Sequence, residues 1–163
     1  MITEYNKFFN FFKKKKKNKK LPKNNDLEFY NSKIDLVKDA LLELSDEGYD
    51  ISVNIDSLNR DEFSDPYYNL NPDITNQILV SIINKNDTYI DLNNVMESFR
   101  FLNDIVIDNE MSILRYNLYI SGYYDNANYM GDQYYDDIPQ LEYDLDKEAT
   151  KFIEFIHIMI VKS

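Results

Sequence analysis

A chain of 163 residues with 44% hydrophobic and 15% aromatic residues has material for one compact core and is too short for two full-sized domains. The absence of cysteine excludes disulfides, a thiolate nucleophile and the sulfur ligands usual for structural zinc, and fits a reducing compartment. The net charge of −11 divides unevenly: residues 1–25 carry nine lysines against Glu4, a balance of +8, which leaves −19 on the rest. A like-charge block of this density marks a solvated or partner-seeking tail. The chain therefore divides into a basic, partly amphipathic N-terminal arm, 1–25, and a single acidic α+β domain, 26–163.

In the arm, Ile2, Tyr5, Phe8, Phe9 and Phe12 recur at helical spacing and lead into Lys13, Lys14, Lys15, Lys16, Lys17, Lys19, Lys20 and Lys23. Pro22 and Asn24-Asn25 interrupt the pattern. The first strong element is a helix from about Ser32 to Glu47, with Ser32 and Asp35 at capping-box spacing and Ile34, Val37, Leu41 and Leu44 as its apolar stripe. Gly48 stops it. Tyr49 to Asp56 alternates apolar and polar and predicts a half-buried strand. Ser57 to Asp73, with Pro66 and Pro72, reads as a long loop pinned by Phe63, Tyr67 and Tyr68.

A second strand is expected at about Gln77 to Asn84, apolar on both sides and so central in a sheet. Asp91 caps a helix whose stripe is Leu92, Val95, Met96, Phe99, Leu102 and Val106, and a third strand runs from about Ile113 to Ser121. Gly122 to Asp137 is a loop or a hairpin. From Asp144 to Val161 the opening composition favours a helix, whereas Ile156 to Val161 is equally compatible with a strand. The order is helix, strand, strand, helix, strand, then helix or strand. It implies a small antiparallel or mixed sheet with helices on one face, and the two helix-turn-strand units suggest a weak internal duplication.

Catalytic chemistry has little to work with: there is one histidine, no Gly-rich phosphate loop, and no nucleophile-elbow or zinc-helix motif. His157 lies in the most apolar stretch, where a packed or edge histidine is the better account than a general base. Asp125, Asp132, Asp136, Asp137 and Glu142 offer oxygen ligands without the alternate spacing of a calcium loop, so neither a metal nor a cofactor is expected.

Tyrosine and acid recur together at Tyr123, Tyr124, Asp125, Tyr129, Tyr134, Tyr135, Asp136 and Asp137, with Tyr67 and Tyr68 in the other long loop. Tyrosine gives large contact area at low entropic cost, so these residues are the expected protein-binding surface, set against the simpler reading that they cap the core edge. Acids on such a surface also mimic a phosphate backbone. The lysines of the arm, Lys13 to Lys17, Lys19, Lys20 and Lys23, are the expected contact for an anionic partner, nucleic acid or, with Phe8, Phe9, Phe11 and Phe12, an anionic membrane surface.

The opening Ile2-Thr3-Glu4-Tyr5-Asn6-Lys7-Phe8 resembles the start of many small proteins encoded by large AT-rich tailed bacteriophages, and Val37 to Val53 resembles a helix-turn-strand unit of such proteins. Fifteen lysines against three arginines match AT-rich coding. The resemblance implies a viral protein and supplies no activity. The resulting expectation is a non-enzymatic phage accessory protein that binds another protein, host or virion, as a virion-associated or structural component. The alternatives are an acidic inhibitor of a host defence or nucleic-acid-binding protein, and a peripheral membrane protein held by the Phe/Lys arm. No apolar run approaches the ~20 residues of a membrane-spanning helix and no signal core is visible, so the expected location is the host cytoplasm or the virion.

Overall fold

A computed structural model of the chain describes residues 24–58, 74–86, 89–124, 127–143 and 152–163. The arm to Lys23, the loop containing Tyr67 and Tyr68, and residues 144–151 lie outside the described residues. The elements are α1 (Asn24–Ala40), α2 (Leu42–Asp46), β1 (Tyr49–Ser57), β2 (Asn76–Asn84), α3 (Leu92–Asp108), β3 (Met111–Tyr124), β4 (Ala127–Tyr135), α4 (Ile138–Tyr143) and β5 (Ile153–Lys162). The fold class is α+β as expected. The sheet runs β1-β2-β5-β3-β4 with every neighbouring pair antiparallel, so of the two arrangements the sequence allowed it is the antiparallel one.

Strand alternation separates two faces. Val53, Ile78, Val80, Ile82, Tyr116, Leu118, Ile156, Ile158 and Ile160 point to one side and share a core with Tyr30, Val37, Leu41 and Leu44 of the first helices, Phe99 and Leu102 of α3, and Leu141 of α4. All the described helices therefore cover the same face. On the other face a smaller cluster joins Leu58, Ile74 and Val161 with Leu114 and Met159. Leu114 reaches it because the β3–β5 register shifts between Ile113 and Arg115, a bulge that turns one extra side chain away from the helices.

The first helix starts eight residues before the expected Ser32. Ser32 is not its cap: the Ser32 hydroxyl donates back to the Phe29 carbonyl at 2.6 Å, and Asp35 pairs with Lys38 at 3.5 Å. Tyr30 extends the Ile34–Val37 stripe by one turn and is fully buried, so tertiary burial overrides the cap-like local pattern. The Tyr30 hydroxyl accepts the Lys162 N–H at 3.0 Å, which ties α1 to the end of β5. Burial pushes the Tyr30 phenol up to about 12, partly offset by that hydrogen bond.

Gly48 takes φ 102° and Glu110 φ 60°, so a left-handed residue joins helix to strand in both helix-turn-strand units. The units do not repeat in the sheet, since β1 is an outer strand and β3 an inner one. At α3 the expected cap is present: Asp91 accepts the Asn93 N–H at 3.0 Å.

Two segments that the sequence left open between alternatives are resolved. The third strand runs on to Tyr124 and pairs with β4, so Gly122 to Asp137 resolves as a hairpin followed by a short helix. The C-terminal segment is a strand from Ile153, and it sits at the centre of the sheet, where β-branched Ile156, Ile158 and Ile160 fit a pleated surface better than a helix. Replacing the central, fully buried Ile158 by Ala should lower the unfolding free energy by about 2–5 kcal/mol in denaturant titration, whereas exposed Phe101→Ala should change it by about 0.5 kcal/mol or less.

Candidate binding surface at the β4 edge

The β3–β4 hairpin carries most of the expected tyrosine-acid residues. Tyr134 and Tyr135 adjoin on β4, opposite Asn117 and Tyr116, while Tyr123, Tyr124 and Tyr129 lie toward the far end, where Gly122 faces Tyr129 and Tyr123 faces Asn128. Tyr129 and Tyr134 are five residues apart on β4, roughly 17 Å of extended strand, so the two groups form two stations on one hairpin instead of one loop. Asp125 falls outside the described residues, as do Tyr67, Tyr68 and the arm lysines.

Alternation splits the near group. Tyr134 is 53% exposed on the face away from the described helices, and the Arg115 guanidinium lies over its ring at 4.7 Å. Tyr135 turns into the helix-covered core at 5% exposure, with its hydroxyl 3.1 Å from Gln133 Oε1. Asp136 is half-buried and Asp137 exposed. Of the two tyrosines, then, Tyr134 presents surface and Tyr135 anchors it.

Asp137 and Gln140 form the start of α4. Gln140 donates its N–H to Asp137 Oδ1 at 2.9 Å and accepts the Asp136 N–H on its side-chain oxygen at 3.2 Å, a reciprocal capping arrangement. Asp137-Ile138-Pro139-Gln140 is thus a legible helix start that sequence reasoning passed over. Arg100 of α3 holds the other end, donating from Nε and Nη2 to Glu142 Oε1, both at 2.8 Å. The carboxylates of Asp137 and Glu142 are therefore engaged structurally, and among the described residues no group of His, Asp or Glu is placed to hold a metal ion.

Between β4 and α4 lies an open depression of about 480 Å³ lined by Gln133, Tyr134, Tyr135, Asp137, Pro139, Gln140 and Tyr143. Tyr143, which the sequence did not single out, is 84% exposed. On the face away from the described helices the aromatic row continues inward: Tyr119 and Phe155 stack at 4.7 Å with ring planes 4° apart, and His157 packs on Phe155 at 5.0 Å. His157 is therefore a packed histidine, on the central strand and not at an edge.

Beneath the hairpin, Tyr116 is fully buried, and its hydroxyl has no hydrogen-bond partner among the described residues. Burial, with Asp137 adding to it, pushes the phenol well above its ordinary value. Neutral tyrosine is the form that the fold favours. Its contribution is fully present below the unfolded pKa of about 10 and is lost as pH rises beyond it. Tyr116→Phe should keep neutral-pH stability level or raise it by about 1 kcal/mol, and should flatten the decline above about pH 10 in denaturant titrations; a loss of more than about 2 kcal/mol would show that the hydroxyl has a partner.

No protein-family model, curated protein or solved structure matches the chain. Among the described residues no helix is long and apolar enough to cross a membrane.

Proposed function

We propose that this chain is a non-enzymatic binding protein of a tailed bacteriophage, a virion-associated or structural component that grips another protein through the corner between β4 and α4. The observation that carries the reading is the exposure of Tyr134 and Tyr143, at 53% and 84%, around one depression beside the sheet edge. Two large amphipathic rings on rigid supports are what a protein contact uses as anchors. Tyr134 is held by Arg115, and α4 by the Arg100–Glu142 pair, so little ordering remains for binding to impose. A wall of phenols and amides, with its one carboxylate committed to a helix cap, supports recognition in preference to acid-base chemistry. The arm lysines Lys13 to Lys17, Lys19, Lys20 and Lys23 are proposed to add a cationic contact for an anionic partner, nucleic acid in the first instance.

Affinity capture from infected and uninfected cells, in moderate salt and with nuclease, tests both parts. Tyr134→Ala with Tyr143→Ala should reduce recovery of the stoichiometric partner about tenfold or more with the fold unchanged by circular dichroism, as removing two interface anchors does. Full retention by the double variant would overturn the assignment of the corner. Capsid or tail proteins as the partner would support the virion role, and one host defence or nucleic-acid-binding protein would replace it with the inhibitor role.

A further inference from the structure

The opposite edge of the sheet has its own chemistry. Leu58 donates its N–H to the Thr75 carbonyl at 3.0 Å, and Lys85 donates to the Gly48 carbonyl at 3.1 Å, at the two ends of the β1–β2 pairing. Hydrogen-bonded pairs recur at every second residue of an antiparallel ladder, so Asp50, Ser52, Asn54 and Asp56 bond to β2. The N–H and C=O groups of Ile51, Val53 and Ile55 consequently point away from the sheet, and among the described residues no strand pairs with them.

Beside this edge runs a groove of about 190 Å³ between the first helices and β1, lined by Lys38, Leu41, Leu42, Ser45, Ile51 and Val53. Leu42 is 59% exposed there. The side chains on the other face of β1 include exposed Asp50 and Asp56, and the adjoining helix end adds exposed Asp39, Glu43, Asp46 and Glu47. Lys38, the cation of the groove, is paired with Asp35 at 3.5 Å.

We propose that the β1 edge takes an extended peptide segment of a partner protein, with basic and apolar residues alternating, as a sixth strand on the five-stranded sheet. The backbone of Ile51, Val53 and Ile55 supplies main-chain hydrogen bonds, the groove takes one apolar side chain, and Asp50 and Asp56 face basic side chains across the new pair. Alternation matches this division, since successive side chains of the incoming strand fall on opposite faces. Charge disfavours a second copy of the same edge: in a two-fold pairing centred on Val53, Asp50 would oppose Asp56 of the other copy, and directly opposed like charges destabilise a strand pair.

The test uses the full chain, labelled for NMR, and a peptide of about nine residues, enough to span β1, with lysine at alternate positions, valine between and leucine at the centre. Saturable binding should slow amide exchange at Ile51, Val53 and Ile55 by about tenfold or more, while the neighbouring amides bonded to β2 change little. A peptide with glutamate for each lysine should bind about tenfold more weakly or worse, and so should the lysine peptide to Asp50→Lys with Asp56→Lys or to Leu42→Asp. Equal binding of the two peptides, no added protection on β1, or protection confined to β4 would overturn the proposal.

Discussion

Insertion of β5 between β2 and β3 is the contact on which the rest of this fold depends. It pairs Ile78 to Ile83 of β2 with Phe155 to Ile160 on one side and most of β3 on the other, and it buries Ile156, Ile158 and Ile160 beneath the helices. Without it, β1–β2 and β3–β4 are two hairpins, each with an unpaired inner strand and an apolar face to cover, and isolated hairpins are marginal in water. The helices are held through the same strand, because Tyr30 of α1 accepts the Lys162 N–H and the Glu110 carbonyl after α3 accepts the Ser163 N–H at 3.0 Å. The last strand of the chain thus joins the two halves, and its sequence-distant pairings make this a topology that is slow to form.

That arrangement also decides where recognition is possible. β2, β5 and β3 are inner strands, so the outer strand edges among the described residues are those of β1 and β4. The two edges differ in character: β1 is acidic beside a groove lined by Leu41, Leu42, Ile51 and Val53, and β4 carries tyrosine beside a depression lined by phenols and amides. The carboxylates on β1 disfavour edge-to-edge pairing, a hazard that uncharged edges carry.

Much of the scaffold was legible where local signals and tertiary packing agree. Tyr49 to Asp56 alternates and is a strand; Asp91 looks like a cap and is one; Gly48 stops a helix at a positive φ that glycine tolerates. Legibility failed where they conflict. Ser32 and Asp35 have the spacing of a capping box, but Tyr30 and Phe29 continue the apolar stripe and their burial carries the helix on. Ile156 to Val161 is ambiguous alone, because a central strand buried on one side and half-buried on the other lacks the contrast that marks a surface strand. For the candidate site, composition identified Tyr134 and the acids near it. It missed Tyr143, whose partners in the depression come from β4, and it could not separate Tyr134 from Tyr135, whose roles depend on which face of the sheet each residue takes.

Native-state amide exchange in increasing denaturant tests the central position of β5 most directly. The amides of Ile156, Ile158 and Ile160 should open only with global unfolding, at the same free energy as those of β2 and β3. Opening of β5 at a distinctly lower free energy, with either hairpin still protected, would contradict the account.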